Sequence, residues 1–396
     1  MKKLIALLLV ALMVFGMAAC GNRAGGNSLK VGFIFLHDEQ STYDKNFIDA
    51  AVEACKNMNV KMVQKTQIPE SKACYDAAVE LIEVEDCDII FADSFGHESF
   101  LMEAAAKYPD VQFCHATGTQ AHTATDLKNF HNAFASIYEG RYAAGVVAGL
   151  KLNEMISSGK ITAKEAKMGY VGAFTFAEVI SGYTSFYLGA KSVCPSVTMD
   201  VKFTGSWYDE TKEKQAAQAL IDGGCVLISQ HADSMGAPTA CETAKVPNVS
   251  YNGSTKGACP ETFLISSRIN WVPYFEYMIS QVQKGEAIAT DWTGTLETGS
   301  VVLTEMGKNV AQGTQEKLDS VIAGLKNGTI NVFDTANFTV GGKKLDSYKA
   351  DVDFDAAYEK DTEVIEKGIF MESKFRSGPY FDLQIDGITL LDVNYG

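Results

Sequence analysis

The sequence predicts an α/β protein of two domains, or one domain with two lobes, built on parallel sheets. Three observations carry this. The chain has 396 residues, more than the 100–200 of a typical single domain. Short apolar β runs alternate with stretches of helical spacing, the signature of βαβ units with helices on both sheet faces. The alternation then restarts near Lys167, as a second unit of the same kind requires.

The elements follow in order. Met1, Lys2 and Lys3 give a positive start, and an apolar run of about a dozen residues, too short to span a membrane, ends in Met17-Ala18-Ala19-Cys20. This resembles a bacterial lipobox. Residues 1–19 are therefore expected to be a lipoprotein signal peptide, Cys20 the lipidated residue, and 20–28 (CGNRAGGNS) a flexible tether. Residues 29–36 (LKVGFIFL), 61–67, 87–92 and 111–116 read as strands, with helices at 46–58, 71–84 and 98–108 between or before them. The second series has strands at 167–173, 197–203, 226–230, 248–252 and 262–266, and helices at 177–193 and 211–222. Beyond Asp291, residues 294–303 read as a strand pair, 315–328 as an amphipathic helix, and 334–342 and 383–393 as β segments.

Composition narrows the function. Acidic residues number 49 against 34 basic, a formal net charge of −15, which repels phosphate backbones and argues against nucleic-acid binding. Past residue 20 no apolar run is long enough for a membrane span. Apart from Cys20, eight cysteines remain; several sit in strand-like apolar runs, where they are expected as free, buried thiols. No CxxC or His/Cys cluster marks a metal site, and His115, His122 and His131 are spaced too widely to make one. GxSxG, GxxxxGK[ST], GxGxxG and HExxH are all absent. Glu178 and Asp233 lack an accompanying nucleophile, so neither enzyme chemistry nor a cofactor is expected.

In open parallel sheets ligands bind beyond the carboxyl ends of the strands. The loops there share a composition: QSTYD at 40–44, DSFG at 93–96, FTFAE at 174–178, GSWYD at 205–209, HADS at 231–234, YNGS at 251–254 and RINW at 268–271. Aromatics among short polar and acidic residues suit a planar polar ligand such as a base or a sugar ring.

Several longer runs carry a family resemblance. STYDKNFIDAA, ADSFGHE, KYPDVQFCHATG, YEGRYAAGVVAG, MGYVGAFTFAEVISGY, SWYDETKEKQAAQALIDGG and ISQHADS together resemble the basic membrane protein (BMP) family of ABC-transporter lipoproteins, which includes the purine nucleoside receptor and adenine-binding relatives. The resemblance implies a type I periplasmic-binding-protein fold, with two Rossmann-like lobes joined by a three-crossover hinge. Lobe 1 would hold 29–131 and 271–296, and lobe 2 would hold 132–270 and 297–396. It implies a monomer on the outer face of the cytoplasmic membrane that delivers a purine nucleoside or base to a permease with a separate ATPase. Matched to the family motifs, Tyr43 or Phe47 would stack on the ligand, with Thr42, Asp44 and Asn46 beside them. Ser94 and Phe95, Phe174, Phe176 and Glu178, Trp207, His231, Asp233 and Ser234, Asn252, and Asn270 with Trp271 would complete the site. Ser41 stands where adenine-binding relatives carry Trp, removing one stacking face, and Asn252 replaces an Asp. A sugar or signalling ligand on the same fold, or a sensor role, is the alternative.

Overall fold

The computed structural model describes residues 29–353 and 359–393. The expected signal peptide, lipidated Cys20 and tether lie outside the described residues.

The first sheet comprises β1 (Lys30–Ile34), β2 (Lys61–Lys65), β3 (Ile89–Ala92), β4 (Gln112–Ala116), β5 (Phe130–Ala135) and, from much later in the chain, β11 (Asp291–Gly294). All pairings are parallel, in the order β11-β5-β4-β3-β1-β2. β1 and β3 read as continuous apolar runs because helices cover both of their faces. Those helices are α1 (Thr42–Asn57), α2 (Lys72–Glu83) and α3 (Glu98–Lys107). The chain then enters the second lobe through α4 (Ile137–Ser157) and builds β6 (Lys167–Gly172), α5 (Ala177–Val193), β7 (Thr198–Phe203), α6 (Glu210–Asp222), β8 (Leu227–Gln230), α7 (Gly236–Ala244), β9 (Asn248–Tyr251) and β10 (Phe263–Ile269). It returns to the first lobe at α8 (Val272–Lys284) and β11, then crosses again to β12 (Val301–Leu303) and α9 (Thr314–Lys326). Two short hairpins follow, β13 (Lys349–Ala350) with β14 (Thr362–Glu363) and β15 (Ile365–Glu366) with β16 (Ile369–Phe370). The last strand, β17 (Ile388–Leu390), closes a second sheet of order β12-β10-β9-β8-β6-β7-β17, in which only β12 runs antiparallel. The result is the expected α/β architecture: two parallel sheets and three passages between them.

Several differences from the sequence reading have physical causes. The first helix begins at Thr42 rather than Asn46, because Ser41 caps it: its Oγ accepts from the Asp44 amide at 3.2 Å. Residues 117–166, to which the apolar pattern assigns no element, hold β5 and the 21-residue α4. α4 is apolar on nearly every side, so it shows no amphipathic stripe. Gly145 of α4 and Gly189 of α5 let these helices press together, since a Cβ on either would strike the other's backbone carbonyl. The boundary expected after His131 falls inside β5, whose two halves pair with β4 and β11 in one sheet; the crossover lies at Ser136. The strand pair expected over 294–303 is two strands of different sheets, joined by a turn in which Ser300 N donates to Thr295 O at 3.0 Å. Residues 334–342 form only isolated bridges. The segment after 297 belongs to neither lobe alone, for Ser377 bonds Asp291 of the first sheet while β17 extends the second.

The eight cysteines of the described residues are free and buried, and burial pushes the Cys55 thiol up to about 11 and that of Cys87 to about 12. Among the described residues no helix is long and apolar enough to cross a membrane.

Candidate functional site

In each sheet the connections reverse direction beside one strand: β1 lies between β2 and β3, and β6 between β7 and β8. That reversal opens a crevice at the carboxyl ends of the strands. The two crevices face each other.

The first lobe's wall comes from the loops after β1, β3 and β4. Because α1 starts at Thr42, Tyr43 and Asp44 sit in its first turn, where an acidic side chain suits the helix dipole. Asp44 is fully buried and accepts from the His37 amide at 2.7 Å and from Ser41 Oγ at 2.6 Å. Burial alone would raise its pKa, but these bonds and the nearby His37 ring outweigh it and hold the carboxyl below the usual range. Tyr43 donates its hydroxyl to Asp93 O at 2.7 Å. Asp93 lies beside Asp44, and burial together with that neighbouring charge holds it well above the usual range. Phe95 rides on a single 3-10 turn (Phe95–His97), braced by Glu70, which accepts from Ser94 Oγ at 2.6 Å and from the Gly96 amide at 2.7 Å. Thr117, after β4, is held at φ +62°, a left-handed geometry that costs a β-branched residue about 1–3 kcal/mol.

The second lobe supplies most of the aromatic surface. Phe174 stacks on Phe176 (centroids 5.3 Å apart) and meets Trp207 edge-on at 4.9 Å. Glu178, in the first turn of α5, lies 3.4 Å from His231 Nε2. Behind His231, Tyr170 OH sits 3.4 Å from Nδ1, and the fully buried Arg141 donates to that hydroxyl and to Gln230 O. Asp233 accepts from Asn252 Nδ2 at 3.5 Å; burial, with Asp44, Glu213 and Glu178 around it, holds its carboxyl well above the usual range.

The lobes touch. Thr42 donates through N and Oγ1 to Asp233 O at 2.9 and 3.2 Å, and the rings of Phe95 and Phe176 stand 5.2 Å apart. Between them lies a cavity lined by Tyr43, Asp44, Ser94, Phe95, Glu178, Trp207, His231 and Asp233, with Leu36, His37 and Thr117. The centre of a water-sized sphere has only about 20 Å³ of freedom there, room for about one water. A neighbouring chamber of about 110 Å³ shares Phe95, Thr117, Glu178 and Trp207 and adds Phe176 and Arg376. Among the described residues no group of His, Cys, Asp and Glu is arranged to hold a metal ion.

Nine of the residues singled out from the sequence therefore converge on these two cavities. The others do not line them. Phe47 and Trp271 are fully buried and stack on each other at 4.5 Å in the first-lobe core, so Tyr43 is the aromatic of that loop that faces the cleft. Asn46 is spent on the hinge, donating to Ile269 O at 2.7 Å and accepting from Arg268. Asn270 donates to Gly299 O across the crossovers at 3.1 Å. Asn252, in a left-handed conformation that Asn tolerates, turns toward Asp233. Thr42 bridges the lobes, Phe174 backs Trp207, and Ser234 caps the turn before α7, its Oγ accepting from Gly236 N. Ser41, where a Trp had been the comparison, holds Asp44 in place. His37, Thr117, Arg141 and Arg376 were not singled out. Arg141 alone leaves a trace in the sequence, as the one basic residue inside the largely apolar run YEGRYAAGVVAG.

Solved structures share the architecture. An ABC transporter solute-binding protein from Conexibacter woesei superposes with a TM-score of 0.61 at 18% identity, over 77% of this chain and 98% of that one. One from Aeropyrum pernix K1 gives 0.64 at 15% identity, over 76% and 92%. Fold and cleft together define a two-lobed α/β protein with a cavity between its lobes. Residues 34–335 match the Bmp family, described as ABC transporter substrate-binding protein PnrA-like, and the chain belongs to that family. A purine-binding protein of Brucella abortus is 30% identical over 85% of this chain and 94% of its own length. A putative ABC transporter glucose-binding protein of Haloferax volcanii is 31% identical over 64% of this chain, which spans only 61% of that relative's length. The ABC transporter nucleoside-binding protein BmpA of Lactococcus lactis is 27% identical over 64% of this chain and 72% of its own.

Proposed function

We propose that the cleft captures a purine nucleoside or nucleobase and that the loaded protein delivers it to an ABC permease driven by a separate ATPase. One observation carries the reading: flat aromatic faces from both lobes, Tyr43 and Phe95 on one side and Trp207 on the other, share a cavity with the carboxyl groups of Asp44, Glu178 and Asp233. Rings fit between such faces, and ring N–H or ribose O–H groups donate to such acceptors. Two stacks at about 1–3 kcal/mol each, plus a few charge-assisted hydrogen bonds, reach the roughly 8 kcal/mol of micromolar affinity. The Brucella and Lactococcus relatives, named for purine and nucleoside binding, support the same class. With only about 20 Å³ of freedom in the cavity, the lobes must part to admit the solute and close on it afterwards. In this reading Cys20 carries the lipid that holds the protein on the outer face of the membrane, and Cys20→Ala would abolish incorporation of labelled palmitate.

The test is a thermal-shift screen against adenine, guanine, hypoxanthine, their nucleosides, and a sugar panel. Ligand at about a hundred times its Kd adds about 2.7 kcal/mol, a shift of a few degrees. Silence for every purine would refute the reading. A shift with sugars alone would favour the second reading, a sugar, for which the name of the Haloferax relative speaks.

A further inference from the structure

The chain beyond residue 335 lies outside the family match and builds a feature of its own. It carries a small aromatic core in which Phe381 stacks on Phe333 at 4.3 Å and packs against Phe370 at 4.7 Å. The segment hangs from the second lobe, with Tyr183 OH donating to Gln384 Oε1 and Phe203 N to Asp392, and with two main anchors. β17 pairs with β7, and Ser181 of α5 donates to the buried Glu372 at 2.6 Å. Between these anchors, residues 376–379 reach over to the first lobe. Ser377 donates through both N and Oγ to one oxygen of Asp291, at 2.8 and 2.7 Å. Gly378 lies so close to the loop after β4 that a Cβ there would stand 2.7 Å from the Gly118 carbonyl oxygen. Arg376 stiffens the turn, donating to the carbonyls of Gly378, Val352 and Pro379 at 3.1 Å each. Arg376 and Pro379 also form a wall of the chamber that opens onto Phe95, Glu178 and Trp207.

We propose that residues 376–379 are a clasp: a strap of the second lobe, latched on the first at Asp291, that closes one side of the cleft and has to release before the lobes part. The reason is geometric. A strap anchored at β17 and Glu372 travels with the second lobe, so hinge opening draws Ser377 away from Asp291 and Gly378 away from Gly118. The same residues bound the space available to a solute, so the clasp also limits how far a ligand extends from the aromatic slot. This rests on the cleft being the solute site, but not on which solute it takes.

Hydrogen exchange followed by mass spectrometry on the ligand-free full chain tests it. Gly378→Ala is the main variant: its φ lies outside the left-handed region, so the added methyl is opposed by first-lobe backbone, the carbonyl oxygens of Gly118 at 2.7 Å and Thr117 at 3.2 Å. Ser377→Ala removes one of the two bonds to Asp291 and is the milder variant. Hydrogen bonds to an ionised acceptor are strong enough that losing this latch should speed exchange about tenfold in peptides covering 112–119 and 372–382, and less in Ser377→Ala. β1 and β6 should stay at the wild-type rate. Unchanged exchange in the cleft peptides of Gly378→Ala would overturn the clasp, and so would acceleration spread evenly over β1 and β6. Because no ligand enters this readout, a failed purine screen leaves the result standing.

Discussion

Replacing the buried carboxylate of Glu213 by a carboxamide should make the protein more stable at neutral pH than at acid pH, relative to wild type. Glu213 stands behind the loop after β8, where it accepts from the amides of Ser234 and Asp209 at 3.1 Å. It is fully buried, and burial pushes its carboxyl from 4.5 up to about 7. A carboxyl with a higher pKa in the folded than in the unfolded state takes up a proton on folding between the two values. Its penalty is therefore absent below 4.5, grows as pH rises, and is complete above about 7. A shift of about 2.5 units, at about 1.4 kcal/mol per unit, is worth roughly 3 kcal/mol, of which about 2.5 develops between pH 5 and pH 8. The wild-type profile alone does not isolate this, because burial holds His97 and His131 down at about 4, and their contribution is lost in the opposite direction, as pH falls below 6.5. The difference between Glu213→Gln and wild type cancels those groups. Urea denaturation at about pH 5, 6, 7 and 8 and constant ionic strength, followed by intrinsic fluorescence, should show that difference moving in favour of the variant by about 2–3 kcal/mol. A difference independent of pH would refute the reasoning.

Three further outcomes are expected. Trp207→Ala should raise the Kd of the bound ring about tenfold to a hundredfold by calorimetry, the loss of about 1–3 kcal/mol of stacking; an unchanged Kd would remove Trp207 from the site. Trp271→Ala should destabilise by about 3–5 kcal/mol in a urea titration, since the indole is fully buried among Phe47, Phe91 and Phe275, and a loss below about 1 kcal/mol would contradict that placement. With Cys20 replaced by Ser, a thiol reagent should find none of the eight remaining cysteines in the native protein and all of them after denaturation, because burial shields them.

Much of the fold is legible where short apolar β runs alternate with stretches of helical spacing. α5 appears in the sequence at its structural bounds, Ala177–Val193, and β6 within a residue of its own. α4 escapes because it is buried all round, and β5 because His131 and Asn132 interrupt its apolar run while sitting buried within it. The site is legible by rule rather than by residue type. Looking at the loops after strands finds Tyr43, Phe95, Glu178, Trp207, His231 and Asp233, but the same rule admits Trp271, whose side chain turns back into the core. Direction along a loop is a matter of backbone geometry, and composition does not carry it. Arg376 reaches the cleft from the far end of the chain, so no local pattern announces it, whereas Thr117 directly follows β4 but stands in a loop without the aromatic and acidic residues of the others.

The distribution of charge across the cleft gives closure a condition. Asp44 and Asp93 belong to the first lobe, Glu178 and Asp233 to the second, and bringing the walls together brings these acids together. The Arg141 guanidinium lies behind Tyr170 in the second lobe, and in the first Asp44 accepts from the His37 amide and Ser41 Oγ, so each lobe compensates part of its own charge. What stays uncompensated is the encounter of Asp233 with Asp44 across the lobes, which, added to burial, favours the protonated form of Asp233. A solute offering N–H or O–H donors to both sides removes that cost without a proton. Such a solute stabilises the closed arrangement over the open one by its differential contacts, the requirement for any ligand that shifts a conformational equilibrium. Closure at neutral pH should therefore depend on a donor-rich solute more steeply than closure at about pH 5. Scattering-derived radii of gyration, measured with and without adenosine at both values, would refute this by showing the same compaction at each.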